Sequence, residues 1–142
     1  MIVTFIGHRD APQKIRQQLY RVLTELIENC GADVFYVGDK GNFDAMVLSL
    51  LCELKLRYAY IDYQIVLSAL PNPPVGDSYS DNTIFPEEIA IAPPRFRIDR
   101  RNLWMLKQSE VVIIYMENSF GRTAKFRRKA VGWNKRIIDL LI

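Results

Sequence analysis

The sequence predicts an α/β fold, a three-layer α/β/α sandwich around a mainly parallel five-stranded sheet. Three observations predict it. Five short runs rich in β-branched and aromatic residues are mostly apolar on both faces, as expected of strands buried between two helical layers. Between them lie segments whose apolar residues recur every three or four positions, the period of an amphipathic helix. The connections are short, and glycine stands in three of the turns that lead from a strand into a helix. Right-handed crossovers then put helices on both faces of the sheet. The strand order 3-2-1-4-5 would set the first and fourth strands side by side at a topological switch point, where such sheets bind ligands.

The elements follow in order. Ile2–Ile6 is the first strand run. From Ile15 the apolar positions Leu19, Val22, Leu23, Leu26 and Ile27 mark a helix, with Pro12 near its start and Gly31 just past its end. Val34–Val37 is the second strand. After Gly41 the series Phe43, Met46, Val47, Leu50, Leu51 and Leu54 predicts a second helix, with Asn42 suited to its N-cap. Tyr63–Leu67 is the third strand run. Residues 70–94 hold all but one of the seven prolines, together with Gly76, Asp77, Ser78 and Asp81, and read as a long loop in which Thr83-Ile84-Phe85 adds a short edge element. A shorter helix near Asp99–Gln108, a strand at Val111–Tyr115, a basic helix near Gly121–Trp133 and a strand at Arg136–Leu140 complete one domain over residues 1–142, without repeats.

The 142 residues are 49% hydrophobic and 25% charged, enough apolar material for a real core and the composition of an ordinary globular domain. No apolar run approaches the ~18–20 residues of a membrane span, and the opening segment lacks the basic flank and cleavage site of a signal peptide. The expectation is a cytoplasmic protein with no membrane partner. Cys30 and Cys52 form no CxxC, and His8 is the only histidine, which excludes the common Cys/His zinc frameworks. Both cysteines are expected to be free thiols in the core. Charge divides unevenly: residues 1–94 carry 7 Lys and Arg against 12 Asp and Glu, and residues 95–142 carry 12 against 4. The basic second half is either a solvated helix face or an attraction to phosphate or nucleic acid.

In a parallel sheet the carboxyl ends of the strands open on one edge, so the segments after the strands are where chemistry would sit. After the first strand stands Gly7-His8-Arg9. After the second stands Gly38-Asp39-Lys40-Gly41-Asn42-Phe43-Asp44, and after the fourth Ser119-Phe120-Gly121-Arg122-Thr123. Glycine lets backbone approach a ligand, and the free amides and dipole of a helix's first turn favour an anion. Each glycine alone also serves as a plain βα turn. Three on one edge, accompanied by His8, Arg9, Lys40, Ser119, Arg122 and Thr123, point to a phosphate or carboxylate site. None is a dinucleotide fingerprint or a P-loop. Asp44 reads equally as a helix-dipole or capping carboxylate and as a ribose or base contact. Of the arginines between Pro93 and Met105, one or two of Arg95, Arg100 and Arg101 are placed to face such a site as planar phosphate forks.

These segments, with Pro93-Pro94-Arg95-Phe96 and Arg101-Asn102-Leu103-Trp104-Met105, resemble the SLOG superfamily over the whole chain. Its members are Rossmann-like domains grouped with the DNA-processing protein DprA and the lysine-decarboxylase-like LOG proteins, and the resemblance is nearest to the small DUF1273/YpsA-like bacterial proteins. It implies a pocket for a nucleotide or nucleotide derivative, with the glycine turn after the fourth strand holding phosphate. The residues it marks are Gly7, His8, Arg9, Gly38, Gly41, Asn42, Asp44, Arg95, Arg101, Ser119, Gly121, Arg122 and Thr123. The LOG hydrolases carry a P-G-G-x-G-T-x-x-E signature, and here Phe126 stands near where its catalytic glutamate would fall.

The leading expectation is therefore a binding domain for an NAD- or ADP-ribose-like metabolite, with no resident cofactor, no metal and no complete catalytic constellation. A nucleotide N-glycosidic or phosphate-bond hydrolase using Asp44 or His8 is the alternative, set against His8 as a hydrogen-bonded structural residue. Single-stranded nucleic acid, suggested by Lys125, Arg127, Arg128, Lys129, Lys135 and Arg136, comes third. Apolar helix faces on so small a domain are compatible with a homo-oligomer, although no self-complementary patch identifies one.

Overall fold

The computed structural model describes residues 1–70 and 82–141. Residues 71–81 of the Pro-rich segment lie outside the described residues, so the reading of that stretch as a loop can be compared with the structure only in its flanks. The chain runs β1 (Ile2–Gly7), α1 (Arg16–Asn29), β2 (Val34–Val37), α2 (Gly41–Arg57), β3 (Asp62–Val66), β4 (Thr83–Ile84), α3 (Glu87–Ala90), α4 (Arg97–Gln108), β5 (Val111–Tyr115), α5 (Arg122–Gly132) and β6 (Arg136–Leu140). Short 3-10 turns at Gln13–Ile15 and Pro94–Phe96 lead into α1 and α4.

All strand pairings are parallel, and the order is β4-β3-β2-β1-β5-β6. The sheet thus has six strands rather than five. The five expected strands keep the expected order, and Thr83–Ile84 pairs beside β3 as an added edge. Within the described part of residues 70–94, α3 and a 3-10 turn also replace loop.

The period of two along the strands assigns the two helical layers. Val3, Phe5, Phe35, Val37, Val111, Ile113 and Tyr115 pack with the buried residues of α1 and α2. Ile6, Val66, Val112 and Ile114 face Ile89 of α3, Met105 and Leu106 of α4, and Phe126 and Ala130 of α5. Two sequence expectations change here. Cys52 is exposed and Cys30 only half-buried, because Val47, Leu50, Leu51 and Leu54 define the inner stripe of α2 and Cys52 turns away from it. Trp104, whose helical spacing on α4 predicts a core-facing side chain, is half-buried, edge-on against Tyr36 at 5.1 Å.

Reversal of the winding direction between β1 and β5 opens the crevice at their carboxyl ends. The β1–β5 pairing runs through to Gly7 opposite Tyr115, and the His8 amide extends it by donating to the Tyr115 carbonyl at 3.2 Å.

Candidate functional site

A cavity of about 70 Å³ lies in that crevice, lined by Gly7, Arg9, Lys40, Asp44, Ile98, Arg101, Asn102, Arg122 and Thr123 over the ends of Phe5 and Ile6. A second, of about 280 Å³, adjoins it through the shared Gly7, Arg9, Arg122 and Thr123, and adds His8, Asn118, Phe120 and Gly121. Gly38 and Gly41 border a third hollow on the far side of Asp44.

The inner wall is a buried charge network. Arg101 of α4 is 5% exposed and places one guanidinium nitrogen 2.5 Å from Asp39 Oδ1, with another 3.9 Å from Asp44 Oδ2. The rest of its fork donates to the Asn102 side-chain oxygen. Asp39 also accepts from the Ser68 amide and hydroxyl, both at 3.0 Å, which ties the end of β3 to the turn after β2. Gly38 makes this possible: a Cβ there would lie 2.6 Å from Asp44 Oδ2 and 2.7 Å from the Arg101 guanidinium carbon.

Asp44 accepts from the Lys40 amide at 3.2 Å, so it serves as the capping carboxylate of its own helix while its side chain lines the cavity. Burial pushes its carboxyl up to about 6, and the Arg101 guanidinium and the Lys40 amide only partly offset that. A carboxyl that exchanges protons near neutrality is thereby available on the cavity wall.

The two helix N-termini at this edge differ. At α2 the first turn is already engaged: Asn42 donates its amide to the Arg9 carbonyl at 2.8 Å, and its side chain pairs with the Ala11 backbone at 2.7 and 3.2 Å. Asn42 is the second residue of α2 rather than its N-cap, and it clamps the β1–α1 turn. Gly41, at φ +86°, lets that turn pass with Arg9 Cα 3.0 Å from where a Cβ would stand. At α5, Gly121 (φ +93°) is the N-cap, and no side chain caps the helix. The α5 terminus is the open one, with buried Thr123 and exposed Arg122 beside it. Arg122 leans 2.8 Å from Asp99, which Lys125 also approaches at 3.6 Å.

His8 is half-buried, edge-on to Tyr115 at 6.2 Å between centroids. Its Nε2 is buried and has no hydrogen-bond partner within the protein, as two other buried side-chain oxygens, on Thr24 and Gln64, also lack. Tyr115 itself donates to Glu117 at 2.9 Å, and burial pushes its phenol up to about 12.

Of the residues marked by the sequence, Gly7, His8, Arg9, Asp44, Arg101, Gly121, Arg122 and Thr123 come together at the two joined cavities. Gly38, Gly41 and Asn42 shape the wall behind them. Arg95 does not join them: it stands exposed, its guanidinium 4.7 Å from the Phe96 ring centroid. Ser119 is exposed and lines neither cavity. The sequence reading missed Asp39 and Ser68, whose partnership spans 29 positions. Their only local signal is that Asp39 stands two residues past the end of β2. Among the described residues no His, Cys, Asp and Glu group could hold a metal, and no helix is long and apolar enough to cross a membrane. Compared with protein-family models and with curated proteins, the chain matches none.

Proposed function

We propose that the protein binds a nucleotide or nucleotide derivative at the carboxyl ends of β1 and β5, as a binding or sensing domain related to the SLOG proteins. The observation that carries this reading is the joined cavity at the switch point, where the uncapped first turn of α5, Arg9 and Arg122 line both parts and Lys40 lines the inner one. The partnerless His8 Nε2 supports it, since a buried polar atom without a partner calls for one from outside. Phosphate belongs at the α5 terminus, and the sugar or base belongs in the wider outer cavity beside His8 and Phe120. The enclosed inner cavity is too small for a base and suits hydroxyl groups presented to Asp44. Thermal shift of the purified chain against AMP, ADP, ATP, GTP, NAD and ADP-ribose tests it. Ligand at ~100 times its Kd adds about 2.7 kcal/mol, and a selective shift lost in Arg122→Ala is the expected result. Absence of any shift with every compound would sink the reading.

One observation favours a second reading, hydrolysis of the N-glycosidic or phosphate bond of such a ligand. Asp44, held at about 6 on the cavity wall, is placed to exchange a proton with bound substrate. Phe126 is buried in the α4–α5 side of the core and offers no replacement for the LOG glutamate. Overnight incubation with nucleoside monophosphates and NAD, followed by chromatography, decides this reading. It requires turnover that disappears in Asp44→Asn.

A further inference from the structure

A groove separates from this site along the outer face of α4 and α5, with a volume of about 360 Å³. Phe96, Arg100 and Leu103 line one side at helical spacing, and Lys125, Phe126 and Lys129 the other. One end is closed by Asp99, whose carboxylate is taken by Arg122 at 2.8 Å and Lys125 at 3.6 Å. The floor is apolar, from half-buried Leu103 and the edge of Phe126. Arg100 of α4 and Lys129 of α5 both line it, and neither has an ion-pair partner among the described residues.

We infer that this groove is a docking site for an acidic peptide segment of a partner protein, carrying one aliphatic anchor side chain. Charge complementarity selects the sign: three cations surround the floor, and the one carboxylate among them is already neutralised. Helical spacing and an aliphatic floor select the shape, a side chain lowered between two helices with carboxylates on either side. The aromatic rings argue against a nucleic acid strand. Lys129 sits 5.4 Å from the Trp133 ring centroid, Lys125 5.2 Å from that of Phe126, and Arg95 4.7 Å from that of Phe96. One of the protein's own cations already lies over each of these rings, and Phe126 is 2% exposed, so bases stacking on the more exposed Phe96 and Trp133 would compete with those cations.

The test uses the intact chain and a fluorescein-labelled acidic dodecapeptide of Asp and Glu around a central Leu, read by anisotropy and by amide chemical-shift mapping. The expected result is saturable binding with shifts confined to residues around Arg100, Leu103, Lys125 and Lys129. Replacing the central Leu by Ser should weaken binding about tenfold or more, since the anchor loses its apolar burial. The Arg100→Glu, Lys129→Glu double variant, which changes only exposed side chains, should weaken it at least as much with an unchanged melting temperature. No saturable binding overturns the proposal, as do equal affinity for the Ser peptide and shifts that map elsewhere. A single-stranded oligothymidylate that binds the same residues more tightly than the peptide also overturns it and assigns the surface to nucleic acid.

Discussion

The two helical layers of this sandwich are built for different tasks. The α1–α2 layer meets the sheet through an almost unbroken apolar stripe, with Leu19, Leu23, Val47, Leu50 and Leu51 fully buried. The α4–α5 layer buries a smaller apolar set and admits Arg101, Asn102 and Thr123 to its inner face. Burial of apolar surface stabilises without specifying chemistry, whereas buried charge costs stability and is retained where its chemistry is used. The contrast locates most of the apolar stability in the first layer and most of the buried polar groups in the second, with Asp44 of α2 as the buried charge that the first layer contributes to the site, and substitutions can break or sharpen it.

The largest expected effect is on the apolar side. Leu50→Ala removes a fully buried side chain from the α2 stripe and should cost about 2–5 kcal/mol in urea unfolding. Leu103→Ala, half-buried on the outer side of α4, should cost well under half of that. Equal losses would mean that the two layers share the load and would dissolve the contrast.

The second effect runs in the opposite direction. Folded Asp44, held at about 6, binds its proton more tightly than the same group unfolded, whose ordinary value is 3.8. The stability it contributes by protonation is therefore present below about pH 4 and is lost as pH rises through about 6. A shift of about two units corresponds to roughly 3 kcal/mol. Asp44→Asn escapes this loss, so relative to wild type it should gain up to about 3 kcal/mol between acid and neutral pH. Parallel urea titrations at the two pH values check it, and a gap that does not change with pH would remove Asp44 from the account.

How much of this could be read from residue order follows the range of the interactions. Strands and helices are written in local periods, and even the edge pairing of Thr83–Ile84 left a trace in its β-type residues. The switch point came with the assumed strand order 3-2-1-4-5, which the five strands keep, and not from any local pattern. What stayed hidden depends on partners far apart in the chain. Arg101 and Asp39 are 62 positions apart, and nothing in either neighbourhood distinguishes Arg101 from the exposed Arg95 and Arg100 until α4 is rotated against the sheet. Cys52 misled for the converse reason: apolar neighbours along the chain do not set the face of a helix.

Gly38→Ala probes that hidden network directly. The added methyl would meet the Asp44 carboxylate and the Arg101 guanidinium, both buried, so neither can move away into water. A cost of about 1–3 kcal/mol is expected. The methyl should also shift the pH at which stability falls, because it alters the distance between Asp44 and Arg101. A variant as stable as wild type, with the same pH dependence, would show that the network has slack.

The smallest effect on stability separates recognition from folding most cleanly. Arg122 is exposed, and its ion pair with Asp99 joins side chains that are 49% and 33% exposed. Pairs of this kind contribute about 0–1 kcal/mol, so Arg122→Ala should leave the unfolding midpoint nearly unchanged. The same substitution should abolish the ligand-induced thermal shift, because it removes a cation from both joined cavities at the α5 terminus. Loss of the shift at full stability would place recognition on the second layer. Retention of the shift would move the anion to Arg9 and Lys40, on the turns that lead into α1 and α2, and recognition would then belong to the first layer as well.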